Sequence, residues 1–170
     1  MKRSIFSLIP RAALIFGCAT AYRPQGMSGG FTETQLDTNV WRVSFRGNGY
    51  TKEEKAEDFA LLRSAELALA NDFTHFAFSS SKTGSEVSSY TAPETATTIG
   101  NANVYGNTIS GSSTTQYSGG GTTYISRPTA NNVVVMFKGK PNINAMVYGA
   151  NFICSSVGRK YEVVCNASKK

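Results

Sequence analysis

Three cysteines carry the clearest chemistry in this sequence of 170 residues, one near the start and two near the end. Cys18 follows the basic residues Lys2 and Arg3 and a stretch of mostly apolar side chains. This stretch is shorter than the ~20 apolar residues that a membrane-spanning helix needs. A basic start followed by a short apolar stretch is typical of a secretory signal. We therefore expect the chain to be exported.

The run from Ile15 to Cys18 resembles a lipobox, the motif in which a small residue precedes a cysteine that is diacylated, cleaved to become the new N-terminus and acylated again. Residues 1–17 are then a signal peptide, and Cys18 carries the lipid. Two acyl chains are enough for stable anchoring, at about 0.8 kcal/mol per buried methylene, and three exceed that requirement. Alanine at position 19, instead of aspartate, favours export to the outer membrane, facing the periplasm.

Cys154 and Cys165 are left as a pair once Cys18 is acylated. An exported protein meets an oxidising compartment, where disulfides form and persist. Closing a loop of this length would stabilise the fold by roughly 3 kcal/mol in the chain-entropy description. The sequence does not decide between this bridge and two unpaired thiols.

Arg63 and Glu66 are charged residues on the apolar side of a predicted helix. They are three residues apart, so they can pair along the helix. Three interpretations stay open: a structural ion pair that links the helix to a sheet or loop, a contact with a partner protein, or a small-ligand site. Arg46, at the end of a predicted strand, could belong to the same cluster.

The sequence contains only one histidine, His75, and its chain neighbours are Thr74 and Phe76. A metal site needs several His, Cys or carboxylate ligands at workable spacing. Nucleophilic catalysis by Ser-His or Cys-His would also depend on His75. We therefore expect no catalytic residue, no metal and no cofactor, and thus no enzyme.

The net charge of +6 is concentrated at the ends of the chain. Lys2, Arg3 and Arg11 precede Cys18, and without these three the charge is +3. A nucleic-acid-binding domain clusters Lys and Arg on one face. The near balance of the remaining chain excludes nucleic acid as an expected partner.

Hydrophobic periodicity predicts the elements that must position these groups. Val40–Arg46 alternates as a half-buried strand. Thr51 with Glu54 reads as a capping box that begins a helix, which continues to about Leu69. A second strand over 73–78 completes a strand–helix–strand unit with parallel strands. A late strand over 133–138 follows, and then a helix from about Ala145 or Ala150 to Arg159.

Residues 79–123 are dominated by Ser, Thr, Gly, Asn and Tyr and have few large aliphatic side chains. Such composition buries too little apolar surface to offset the ordering entropy. We interpret this insertion as a long hairpin-like excursion or a disordered loop. Residues 18–38 read as a flexible tether, and 39–170 as one α/β (α+β) domain. The expected fold is a two-layer sandwich, β-α-β-(insertion)-β-α, with a small mixed sheet and helices on one face.

The strings ETQLDTNVWRVSFRGNGYT and AEDFALLRSAELAL, with the Ser/Thr/Gly/Tyr-rich insertion, resemble a family of small bacterial cell-envelope lipoproteins of unknown function. The likeness extends over most of the mature chain. It implies lipidation of Cys18 and a compact α/β domain, and it implies no catalytic or binding residue.

The leading functional hypothesis is a non-catalytic envelope lipoprotein that interacts with other envelope proteins. Tyr with Ser and Gly supplies adaptable recognition, so the insertion is the expected contact surface. A second hypothesis is a cell-wall glycan binder; a third, an enzyme, would need carboxylates such as Glu66 and Asp58 in one cleft. The aromatic residues considered for glycan binding are Trp41, Tyr105, Tyr117 and Tyr124.

Overall fold

The computed structural model describes residues 19–167, so Cys18 and the predicted signal peptide lie outside the described residues. The chain is a mixed α+β protein that consists mostly of strands, with two helices. Within residues 19–167 no helix is both long and apolar enough to cross a membrane. In chain order the elements are β1 (Gly30–Asp37), β2 (Val40–Arg46), α1 (Glu53–Ala70), β3 (His75–Thr91), β4 (Thr95–Tyr105), β5 (Thr108–Ser118), β6 (Thr122–Phe137), β7 (Val147–Gly149) and α2 (Ala150–Tyr161).

The main sheet has five strands in the order β1-β2-β6-β3-β7, and every neighbouring pair is antiparallel. The expected mixed sheet is therefore wrong. β2 and β3 run in the same direction, but β6 lies between them and is antiparallel to both. Antiparallel neighbours need only a turn between them, and β3 and β6 pair along their full length as the two sides of one long excursion.

Helix α1 does not begin with the expected capping box. Lys52 occupies the N-cap position and makes no side-chain capping bond. The Thr51 hydroxyl instead accepts a hydrogen bond from the backbone N–H of Thr20 at 3.0 Å and donates one to Asn48 Oδ1 at 2.9 Å. Thr51 therefore holds the beginning of the described chain rather than the beginning of the helix.

The alternation of the central strands places their apolar side chains in the core. Val43 and Phe45 of β2, and Val134 and Met136 of β6, are buried, whereas the residues between them are more exposed. Helix α1 buries a broad side against β2, β3 and β6, and it also packs against α2. Side chains of both helices and the sheet join in one apolar cluster.

Phe59 of α1 is the centre of a smaller aromatic cluster. Its ring lies 5.1 Å from that of Tyr22, 5.2 Å from that of Phe45 and 5.0 Å from that of Tyr161, each in an edge-to-face arrangement. Such pairs contribute about 0.5–1.5 kcal/mol each beyond the buried area. The cluster joins the start of the chain, the sheet and both helices.

The segment that we expected to be a flexible tether is ordered over much of its length. Residues 30–37 form β1, which pairs with β2 from Gly30 opposite Arg46 to Asp37 opposite Val40. Thr20 has only 2% of its surface exposed, and Phe31 is buried. The strand has mostly polar side chains because it lies at the edge of the sheet, so hydrophobic alternation does not reveal it.

Residues 84–129 form a long β-structured arm that continues past the end of β2. Gly84–Thr91 continue β3 and pair with Thr122–Thr129 of β6, and beyond them β4 and β5 form a separate two-stranded hairpin. Of the two interpretations of the insertion, the structure shows the hairpin-like excursion. The arm bends at Gly119, whose φ of 99° and closeness to the Pro93 carbonyl leave no room for a side chain.

Candidate functional site

A buried charged network surrounds Glu66, which has 1% of its surface exposed. Arg63 binds Glu33 of β1 through two parallel hydrogen bonds of 2.8 Å, and it donates a third, also of 2.8 Å, to Glu66 Oε2. The Tyr22 hydroxyl donates to the same Glu66 oxygen at 2.6 Å. The guanidinium of Arg63 also lies 4.5 Å above the ring of Phe31. Bidentate arginine–carboxylate pairs of this kind are among the stronger polar contacts in proteins.

The other oxygen of Glu66 is bound by the C-terminal segment. Asn166 N–H donates to Glu66 Oε1 at 2.8 Å. The adjacent Cys165 forms a disulfide with Cys154 of α2, with the two Cα atoms 5.5 Å apart. Because the bridge holds residues 163–166 against the helices, it also delivers the Asn166 N–H to Glu66.

Burial and pairing shift the pKa values of the groups in this network. Burial raises the pKa of Tyr22 far above its usual range, and the hydrogen bond to Glu66 adds to the effect. Burial alone would lower the pKa of Arg63, but the hydrogen bonds that Arg63 donates to Glu33 and Glu66 outweigh it, so the pKa of Arg63 is raised. Tyr22 is therefore neutral and Arg63 charged at any physiological pH.

Arg46 does not belong to this network. It forms an ion pair of 2.5 Å with Glu86 at the base of the arm, and both side chains are about half exposed. Arg46 lies opposite Gly30 in the sheet, whereas Glu33 lies opposite Val43, which separates Arg46 from the network along the strands. The suggestion that Arg46, Arg63 and Glu66 form one cluster is therefore wrong.

A polar cleft of about 740 Å³ opens beside the network, at the C-terminal end of α1. Within the described part of the chain, Trp41 Nε1 is the one buried side-chain nitrogen or oxygen without a hydrogen-bond partner. Glu33 and Glu66 are already engaged by Arg63, so the network leaves neither of them as an unpaired acid or base in this cleft. The other residues that line it are Gln35, Leu67, Ala70, Asn71, Asp72 and Asn166.

The remaining candidates for catalysis do not converge. Asp58 accepts hydrogen bonds from Lys160 at 2.8 Å and from the Tyr161 hydroxyl at 2.7 Å, in a contact separate from that of Glu66. Burial, with the hydrogen bond to Asp58, raises the pKa of Tyr161 to about 12. His75 Nδ1 lies 2.8 Å from the Thr74 hydroxyl. In residues 19–167 no three His, Cys, Asp or Glu side chains are grouped to hold a metal ion.

The arm presents a second candidate surface. Every residue of β4 and β5 is exposed, and residues 95–126 contain no charged side chain. Each strand of this hairpin has only the other as its hydrogen-bonded neighbour among the described strands, so each has an open edge. The large apolar or aromatic side chains that the arm exposes are Val87, Tyr90, Ile99, Val104, Tyr105, Ile109, Tyr117, Tyr124 and Ile125.

The sequence pattern identifies Arg63 and Glu66 but not two of their partners, Tyr22 and Glu33. Both lie in the segment that composition assigned to a tether, and neither is close to Arg63 in sequence. Glu33 lies between Thr32 and Thr34, a pattern that only weakly predicts a strand. Only the pairing of β1 with β2 brings Glu33 close to helix α1.

No protein-family model, no curated protein and no solved structure matches this chain.

Truncation of Arg63 tests whether the network holds the fold together. We expect Arg63→Ala to lower the free energy of unfolding by about 3–5 kcal/mol, because it leaves buried carboxylates without their counter-charge. Arg46→Ala is the matched control, because it removes an exposed arginine ion pair. It should lower the free energy of unfolding by at most about 1 kcal/mol. Urea denaturation of both variants measures the difference. Equal losses would show that the network is no more important than a surface pair.

Proposed function

We propose that this chain is a non-catalytic lipoprotein of the bacterial cell envelope, anchored by lipid on Cys18, whose arm is the contact surface for another envelope protein. The lipobox-like run before Ala19 and the resemblance to envelope lipoproteins support the anchor. The disulfide between Cys154 and Cys165 is consistent with an exported chain, since disulfides persist in oxidising compartments. The location proposed is the outer membrane, facing the periplasm.

The observation that carries the interaction proposal is the hairpin of β4 and β5, which is exposed, uncharged and open at both edges. Natural proteins usually protect exposed strand edges with charges, proline or bulges. An edge without such protection can accept an extended segment of another chain, with main-chain hydrogen bonds supplying affinity. The expected partner is therefore a protein with a strand or extended segment available for pairing.

The arrangement of the helices on the sheet belongs to the same proposal. We infer a two-layer arrangement in which both helices cover the face that carries Val43, Phe45 and Val134. This leaves the other face of the sheet, and the whole of the hairpin, outside the core.

Fatty-acid labelling tests the anchor. Cells that express the wild-type chain and are fed a palmitate analogue should yield labelled protein, and Cys18→Ala should lose the label completely, because Cys18 is the one cysteine within the lipobox-like run. The double variant Cys154→Ser with Cys165→Ser is the matched control and should keep the label. Equal label in the wild type and in Cys18→Ala would contradict the lipoprotein proposal.

Site-specific photocrosslinking tests the arm. A benzophenone amino acid in place of Tyr105, which is 74% exposed at the end of the hairpin, should give discrete crosslinked species in intact cells. The same probe at Phe152 of α2, 71% exposed, should give several-fold less product. Equal crosslinking at both positions, or none at Tyr105, would contradict the proposal that the arm is the contact surface.

A cell-wall glycan is the second candidate partner, because the exposed Tyr105, Tyr117 and Tyr124 could stack on sugar rings. Tyr105 pairs with Thr108 and Tyr117 with Ala96, so these two tyrosines point to opposite faces of the hairpin and cannot form one platform. Under this alternative, purified murein should retain the wild-type chain, and Tyr105→Ala with Tyr117→Ala should reduce retention several-fold. Failure of murein to retain the wild type would remove the glycan candidate.

A further inference from the structure

The chain becomes part of the folded domain two residues after the proposed lipid site. Thr20 is buried, its N–H donates to Thr51 Oγ1 at 3.0 Å, and its hydroxyl donates to the Ser28 carbonyl at 2.7 Å. The same hydroxyl accepts the Asn48 N–H at 2.9 Å. These contacts attach Thr20 to the loop between β2 and α1 and to the turn before β1.

This attachment limits how far the domain can move from a lipid on Cys18. Two trans peptide steps span at most roughly 7.6 Å between the Cα atoms of Cys18 and Thr20. A free tether over residues 18–38 would instead reach roughly 70 Å when extended. The domain surface that surrounds Ala19 is therefore held at the membrane surface, whereas a long tether would leave the orientation of the domain free.

The surface around Ala19 has the composition of a membrane-facing surface. Ala19 lines a cleft with Tyr50, Tyr161, three lysines and one acidic residue, Glu54, which pairs with Lys160. Tyr50 also lines a neighbouring cleft that contains Met27 and Tyr124. Tyr50 is 74% exposed, and Met27 is fully exposed at the tip of a tight turn. Tyrosine, exposed apolar tips and lysine are the residues that favour the boundary between water and lipid headgroups.

We propose that this surface, the anchor face formed by Ala19, Met27, Tyr50, Lys52 and Tyr124, lies against the phospholipid headgroups of the membrane that holds the lipidated chain. The inference depends on the proposed lipidation of Cys18. The occupant is a lipid surface rather than a protein, because the face surrounds the residue next to the anchor and the short connection leaves little room for another layer.

The anchor face lies next to the base of the arm. The Gly47 N–H donates to the Pro128 carbonyl at 2.8 Å, and a side chain at Gly49 would meet that of Ile125, so the base of the arm adjoins the loop that carries Tyr50. The arm therefore leaves the domain at the membrane-proximal end. The opposite end of β2, at the turn around Thr38, lies roughly 20 Å away at about 3.3 Å per residue.

Depth-dependent fluorescence quenching tests the orientation. Tyr50→Cys and Met27→Cys are each labelled with a thiol-reactive fluorophore, and Thr38→Cys, at the exposed turn between β1 and β2, is the distal control. The native thiols do not interfere, because Cys154 and Cys165 are bridged and Cys18 is acylated. Each lipidated, full-length chain is reconstituted in vesicles of phosphatidylethanolamine and phosphatidylglycerol, with and without a nitroxide on the lipid headgroup.

The headgroup nitroxide should quench the probes at positions 50 and 27 several-fold more than the probe at position 38. Insertion of a flexible Gly/Ser segment of about 15 residues between Ala19 and Thr20 should remove this difference, by restoring the reach of a tether. Equal quenching at all three positions in the lipidated chain would overturn the orientation proposal. Absence of palmitate label would instead overturn the lipoprotein proposal itself, so the two failures are distinguishable.

Discussion

The carboxylate of Glu66 is the constraint on which much of this structure depends. A charge that is almost fully buried is costly unless it is paired and hydrogen-bonded. Glu66 satisfies this requirement with donors from three separate parts of the chain: the Tyr22 hydroxyl, the Arg63 guanidinium and the Asn166 N–H. Because Arg63 also binds Glu33, the edge strand β1 is joined to the same point. One buried acid therefore determines where both ends of the described chain must lie.

The docking of the N-terminal segment links this packing to the proposed lipid anchor. Tyr22 packs between Phe31 and Phe59 and binds Glu66. Thr20, two residues before Tyr22, is held by the Thr51 hydroxyl. A lipoprotein with a long linker can search the periplasm away from its anchor, whereas a domain that starts directly after the acylated cysteine stays at the bilayer surface. Under the proposed lipidation of Cys18, the arm supplies the reach that a tether would otherwise have.

The arm and the domain are stabilised in different ways. The domain buries apolar side chains between helices and sheet, whereas the hairpin of β4 and β5 has only main-chain pairing and contacts such as the hydrogen bond between the Thr98 and Thr115 hydroxyls. An isolated two-stranded hairpin is marginally stable in water. Association with a partner strand would add the pairing and burial that the hairpin lacks, which fits its proposed role as a contact surface.

The sequence by itself determined the features that depend on local pattern. Alternation located Val40–Arg46, the 3.6-residue period located most of α1, and the composition of residues 79–123 marked them as an insertion outside the core. The spacing of Arg63 and Glu66 also revealed their ion pair, because partners three residues apart on a helix are neighbours whatever the tertiary fold.

Only the tertiary structure decided the rest. Glu33 lies 30 residues from its partner Arg63, and Tyr22 and Asn166 lie 44 and 100 residues from their partner Glu66, so no local pattern could identify them. β6 lies between β2 and β3 because its long antiparallel pairing with both strands satisfies more backbone groups than direct parallel pairing of β2 with β3 would. The Thr51 hydroxyl, which locally would cap a helix, binds Thr20 because the folded chain brings a buried N–H that needs an acceptor.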